Sequence, residues 1–310
     1  MSVLALSGGI GGAKLALGLY RVLPPGALTV IANTGDDFDH LGLRVSPDID
    51  TLLYTLAGID NPQTGWGRRD ETWTFMAALE TLGGETWFKL GDGDLATHVE
   101  RTRRLTAGES LSQITDDFRR RLGISARILP MSNDPVRTRL HTEDGWLDFQ
   151  DYFVRRRSSP VVHAIYCRGG AEARPHPDFL AMLRGEDLDA VVICPSNPFL
   201  SIDPILSLPG VRPALQASHA PVIAVSPIIG GKAVKGPTAK IMAELRRGTS
   251  AAAVARHYGD ILDIYIADEV DAEEVAELDI PVRLARTLMV TLEDREALAR
   301  EVLAAADRGS

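Results

Sequence analysis

Cysteine is almost absent from the 310 residues, and the two that occur, Cys167 and Cys194, each sit inside an apolar run. A disulfide framework and a thiolate zinc site are therefore excluded, and both thiols are expected in the core. No apolar run approaches the ~20 residues that span a bilayer. The amino terminus also lacks the basic flank and small-residue cleavage site of a signal peptide, so a cytoplasmic protein without membrane contact is expected. Basic charge is short as well: 33 Lys and Arg against 42 Asp and Glu give a net charge of −9, which argues against nucleic acid as a partner. A local basic patch survives that balance. "RRR" at 155–157 is one, either a solvated face or an anion contact.

What the sequence does contain is an alternation of β-branched runs with helical segments. Strands are predicted over 3–7, 28–33, 126–131, 161–168, 190–195, 221–226 and 263–267. Continuous apolarity in "LTVIA", "AVVIC" and "PVIAV" points to parallel strands covered on both faces, hence an α/β, Rossmann-like, doubly wound sheet. Two stretches depart from the alternation. Residues from about 70 to 123 read as a helical insertion, with a capping box at "SLSQ". Residues 136–154, "VRTRLHTEDGWLDFQDYFV", alternate on both sides of Asp144-Gly145 and predict a β-hairpin. No repeat or low-complexity linker divides the chain, so one domain spanning 1–310 with these insertions is expected.

"VLALSGGIGGAKLALGL" runs from a strand through a glycine turn into a helix. Such a turn lets backbone amides approach a ligand, because no Cβ intervenes. It is not a P-loop, since Lys14 precedes Leu15 and no hydroxyl follows for a metal. It fits the dinucleotide fingerprint only in part, because Lys14 stands where the third glycine belongs. A phosphate-binding turn remains, with Lys14 either reaching an anion or pointing into water.

In a parallel sheet, ligands bind beyond the carboxyl ends of the strands. There the sequence places "SGGIGGAK", "NTGDDFD", "PSNPFLSI" and "SPIIGGKAVKGP", small and polar loops suited to a nucleotide and its phosphates. Carboxylates gather nearby: Asp36, Asp37 and Asp39, then Asp48 and Asp50 in "SPDIDTLLY". They suit either magnesium, which takes one or two carboxylates with substrate phosphates, or plain capping of the following helix. "ETWFKLGDGDLATH" brings Trp87, Phe88, Lys89 and Asp92 together, as a stacking platform beside charges or as a helix–sheet wedge.

"GGIGGAK", "NTGDD", "SPDIDTLLYTLAG", "WFKLGDGDLATH", "ILPMSNDPVRT", "FQDYFVRRR", "PSNPFLSI" and "VSPIIGGKAVKGP" resemble, in order and along nearly the whole chain, the CofD/FbiA family. These are the 2-phospholactate or phosphoenolpyruvate transferases of coenzyme F420 biosynthesis. The resemblance implies a Rossmann-like fold with a helical subdomain, a homodimer and magnesium dependence. It also implies transfer from a guanosine diphosphate-linked three-carbon acid to the deazaflavin alcohol Fo, with GMP leaving. Matched motif by motif, it assigns Fo to Asp50 and Lys89, with Trp87 and Asp92 as neighbours. Asp50 would be the catalytic residue, as metal ligand or as orienting group for the hydroxyl, with Asp36 and Asp37 as further metal ligands. The guanosine donor falls to Gly9, Gly11, Gly12, Lys14, Ser196, Asn197, Ser226 and Gly230. The family commonly has arginine where this chain has Gly93, and Arg155 or Arg157 is expected to replace that contact. A related fold that binds a nucleotide sugar without chemistry, as a regulator, is the alternative.

Overall fold

The computed structural model describes residues 1–233 and 236–307, so Val234 and Lys235 of the "VSPIIGGKAVKGP" motif lie outside the described residues. The chain begins with β1 (Val3–Ser7), α1 (Gly9–Val22) and β2 (Leu28–Ala32). The short pair β3 (Phe38–His40) and β4 (Leu43–Val45) then leads into α2 (Pro47–Leu56). Helices α3 (Thr74–Thr81), α4 (Asp92–Thr106) and α5 (Leu111–Arg121) precede β5 (Arg127–Pro130). Next come β6 (Arg137–Thr142), β7 (Gly145–Asp148), a π-helical segment (Asp151–Arg155) and β8 (Val162–Arg168). The second half carries α6 (Pro177–Arg184), β9 (Ala190–Ile193), a π-helical turn (Pro198–Ile202), α7 (Asp203–Leu206), α8 (Val211–Gln216) and β10 (Val222–Val225). It continues through β11 (Ile228–Ile229), β12 (Lys232–Ala233), α9 (Thr238–Glu244), α10 (Ala251–Tyr258), β13 (Ile264–Asp268), α11 (Ala272–Val275), β14 (Val282–Ala285) and α12 (Leu292–Ala306).

The described residues build a seven-stranded sheet in the order β14-β13-β10-β9-β1-β2-β5, and every pairing in it is parallel. This is a doubly wound α/β fold. Alternate residues of each strand serve opposite faces: Leu4 and Leu6 of β1 join one buried cluster with Val191 and Ile193, while Val3 and Ala5 join the other with Val30 and Val192. Burying one such side chain on either face stabilises the fold by ~1.5–3 kcal/mol, which is why both faces must be covered by helices. Both cysteines belong to these layers, Cys194 fully buried and Cys167 packed against the other face. Burial pushes each thiol up to about 12, so neither is a reactive thiolate at neutral pH.

Two strands differ from the sequence expectation. The run at 161–168 is a strand, but β8 pairs antiparallel with β6, completing the sheet β7-β6-β8 outside the central one. Its solvent face explains this: His163, Ala164, Tyr166 and Arg168 are exposed, a pattern that a doubly covered parallel strand does not tolerate. Conversely β14, "VRLA", is the edge of the central sheet and is half exposed, so it lacks the apolar run that marks the others. Among the described residues no helix is long and apolar enough to cross a membrane.

Candidate active site

Strand order reverses at β1, whose two neighbours are β2 and β9. Loops leaving β1 and β9 therefore part in opposite directions and open a crevice beyond their carboxyl ends. The observed crevice has a volume of about 690 Å³. Its wall combines polar groups, from the start of α1, Asp36, Asp48 and the loop after β9, with the aromatic rings of Trp66, Trp87, Phe88, Phe149 and Phe153.

The glycine turn faces the crevice, and its glycines also serve packing. A Cβ on Gly11 would collide with the Pro195 carbonyl oxygen, one on Gly12 with the hydroxyls of Ser7 and Ser196, and one on Gly8 with Ser201. These three glycines let α1 dock against the loop that follows β9. Gly9 alone has φ +64 with open space before it, and with Gly8 and Gly11 it lines the crevice, whereas Gly12 is packed behind. Lys14 also reaches the crevice wall, where its ammonium donates to the Met289 carbonyl at 2.7 Å.

Asp48 and Asp50 stand two residues apart on α2, and positions i and i+2 of a helix face different ways. Pro47, Asp48 and Thr51 line the crevice; Asp50 does not. Asp48 reaches across to α1, accepting from the Gly9 N–H at 2.7 Å and from the Asn33 amide at 2.9 Å. Burial, opposed by those two donors and assisted by the charge of Asp50, pushes its carboxyl up to about 6. Asp36 is buried beside it, and one of its oxygens, Oδ1, has no hydrogen-bond partner. Burial and then the Asp48 charge push the Asp36 carboxyl well above the usual range. Asp37 faces away from the crevice and accepts from the Ser46 hydroxyl at 2.8 Å. Burial pushes it up to about 7 despite Arg137.

Asp50 lies in the contact between α2 and α4, paired through both oxygens with the guanidinium of Arg101, itself 1% exposed. His98 Nδ1 is 3.7 Å away, and Tyr54, one turn along α2, donates to Asp94 at 2.6 Å. Asp36, Asp37 and Asp50 thus occupy three different settings instead of forming one ligand set. Among the described residues the group of three whose ligand atoms lie within 4.8 Å of one another is Asp50, Asp94 and His98. It could hold a metal, but the guanidinium already neutralises Asp50. Asp36 and Asp48 fit a divalent cation better: two repelling buried carboxylates face the crevice, one with an oxygen left unpartnered, and hard oxygen ligands of this kind suit magnesium.

The remaining assigned residues divide between wall and scaffold. Lys89, Trp87, Ser196, Asn197 and Ser226 line the crevice. Several of their polar groups also shape the loops. The Ser196 hydroxyl accepts from the Gly8 N–H at 3.2 Å, and Asn197 caps the following π-helical turn by accepting from the N–H groups of Phe199 and Leu200 at 3.0 and 3.1 Å. Ser226 Oγ closes its own turn on Ile228 at 2.9 and 3.2 Å. Asp92 lies off the crevice and caps α3 instead, accepting from Thr74 and Phe75 N–H at 3.1 and 3.0 Å. Gly230 is also off it, at φ +56, with its N–H donating to Asp271 at 2.9 Å. Beside Gly93 stands the side chain of Arg68, whose Nε is 3.4 Å from where a Cβ would be. Arg155 covers Trp87 instead, 4.5 Å from its ring centre.

Sequence reasoning left out the wall contributed by Phe149, Gln150, Phe153 and Val154, and that of Thr287 and Met289. The first was visible as "FQDYFV", whose aromatics recur four residues apart and stack at 5.3 Å. The second follows β14 and carried no signal.

Comparison with known proteins places the chain. A crystal structure of a UPF0052 family member from Bacillus halodurans matches the fold with a TM-score of 0.67 at 15% identity, covering 97% of this chain and 98% of that one. A phosphoenolpyruvate transferase of Streptomyces griseus is 42% identical over 99% of each chain. A 2-phospho-L-lactate transferase of Methanosarcina mazei is 40% identical over 98% of this chain and all of that one. The family model described as 2-phospho-L-lactate transferase CofD matches residues 3–305. With the crevice, its paired acids and the ordered motifs all within that span, the chain is an enzyme, a transferase belonging to the CofD family.

Proposed function

We propose that this enzyme transfers a phospholactyl or phosphoenolpyruvyl group from a guanosine diphosphate-linked donor to Fo in the biosynthesis of coenzyme F420, releasing GMP. The observation that carries this is a single crevice lined by both acids and aromatic rings, in a chain about 40% identical along its length to transferases named for those two acids. The aromatic lining suits a planar deazaflavin, stacked among rings drawn from Trp66, Trp87, Phe88, Phe149 and Phe153, with Lys89 on the same wall. The start of α1 and the loop holding Ser196 and Asn197 take the guanosine diphosphate portion.

In the reaction the ribityl hydroxyl oxygen of Fo bonds to the phosphorus that carries the acid, the bond from that phosphorus to the GMP oxygen breaks, and the hydroxyl proton passes to solvent water. No covalent enzyme intermediate is required, so the residues serve alignment and charge neutralisation. A cation between them would lower the cost of bringing a diphosphate up to Asp36 and Asp48. Asp36 and Asp48 would hold magnesium, which when bound offsets charge on the diphosphate and on the departing GMP. Asp48, by capping α1 while facing the crevice, fixes the spacing between the helix start and that position. Asp50, behind it, acts as a positioning residue that locks α2 against α4 through Arg101.

Incubating the protein with Fo, magnesium and each guanylated acid, followed by mass spectrometry, tests the proposal. The expected products are GMP and the phosphodiester of Fo with one of the acids. Tight binding of a nucleotide sugar without any product from Fo would replace it with the regulatory alternative. A homodimer, implied by the family resemblance, belongs to the same proposal and is checked by sedimentation.

A further inference from the structure

Three consecutive arginines, 155–157, meet three different surroundings. Arg155 lies over Trp87 and pairs with Glu85 and Asp151 at 3.5 Å each. Arg156 pairs with Asp144 at 2.8 Å and Asp151 at 3.1 Å. Arg157 lines the crevice, and among the described residues no carboxylate lies within ion-pair distance of it.

The backbone sets this separation. Arg157 and Ser158 are both left-handed, with φ 52 and 55, a conformation that disfavours residues carrying a Cβ. The turn is held by Tyr152, which is fully buried: its carbonyl accepts from the Ser158 N–H at 2.9 Å, and its hydroxyl donates to the Ser158 carbonyl at 3.4 Å. The backbone that carries this exposed side chain is thus fixed, which removes the backbone share of the cost of ordering it around a ligand.

Among the described residues the other cations on the wall are Lys14, bonded to the Met289 carbonyl, and Lys89. Both are ammonium point charges, whereas a planar guanidinium matches a carboxylate with two parallel hydrogen bonds. The two acids that name the relatives share a carboxylate on the carbon that bears the phosphate ester and differ at the rest of that carbon skeleton. We propose that Arg157 binds the carboxylate of the transferred three-carbon acid, selecting 2-oxy carboxylates as a class and leaving the lactyl and enolpyruvyl groups undistinguished. This rests on the transferase function proposed above.

The test compares kcat/KM for a guanylated donor with a free carboxylate and for its methyl ester, in the wild type, Arg157→Gln and Arg157→Lys, with folding checked by circular dichroism. The wild type is expected to prefer the carboxylate by about 10- to 100-fold, the range of charge-assisted hydrogen bonds. Arg157→Gln should bring the ratio to within about threefold of unity, and Arg157→Lys to an intermediate value. If the glutamine variant does not fold, the lysine variant decides on the same ratio. An unchanged ratio, or equal losses on both donors, overturns the assignment, the latter by moving Arg157 onto the phosphates. A wild type that turns over both donors equally also ends it while leaving the transferase function intact; a wild type that turns over neither ends both.

Discussion

Asp36 shows at the scale of one residue what it costs to keep a carboxylate where water is scarce. Its pKa is raised by burial and by Asp48, and Asp48 and Asp37 themselves titrate at about 6 and about 7. A carboxyl with a higher pKa in the folded than in the unfolded chain contributes stability that is complete below the unfolded value and disappears as pH rises through the folded one. Metal-free protein therefore loses stability from Asp48 and Asp37 between pH 3.8 and about 7. Asp36→Asn removes the same burden at its own position, where the Oδ1 atom has no donor to lose. It is expected to melt above the wild type at pH 7.5 without magnesium, with the gain vanishing toward pH 4, and to lose turnover by about 100-fold or more as a ligand of the cation is lost. Thermal melts across pH and a turnover assay check both parts; a pH-independent gain would detach it from titration. At this scale the sequence displayed five acids, and it could not say which two share the crevice, because burial and neighbours are not written in residue identity.

At the scale of elements, α2 distributes its acids between two duties. Asp48 looks into the crevice and Asp50 into α4, a division that follows from helical geometry once the helix begins at Pro47. The Asp50–Arg101 pair is buried, so truncating one partner leaves an uncompensated charge. Asp50→Ala is expected to destabilise the protein by ~3–5 kcal/mol, while replacing both partners with apolar residues should cost much less. Denaturant titrations of the two variants decide the matter. If Asp50→Ala keeps its unfolding midpoint and still loses turnover, Asp50 acts on substrate directly. The strand-turn-helix at the amino terminus was legible from its pattern, yet the purpose of Gly8, Gly11 and Gly12 was not. They accommodate the loop after β9, almost two hundred residues away, and spacing within one segment carries no record of what approaches it.

Across the whole molecule, the crevice draws its walls from α2 and from the segments that follow β1, β2, β7, β9, β10 and β14, so one ligand must engage elements from both halves of the chain. Saturating guanosine diphosphate with magnesium should accordingly stabilise the entire cooperative unit, by ~2.7 kcal/mol at a hundredfold excess over Kd, and so raise its melting temperature. Absence of any shift in differential scanning calorimetry would remove the nucleotide from the crevice. The sequence by itself determined the parallel strands, the helical stretch before β5, the hairpin and the family, because apolar periodicity, turn residues and ordered motifs are local properties. Only the tertiary structure decided that the run at 161–168 joins the hairpin, that β14 closes the central sheet, and that Asp48 rather than Asp50 faces the ligand space. Those outcomes depend on which distant surface each segment meets, and the free energy of that meeting is shared between partners that neither segment specifies alone.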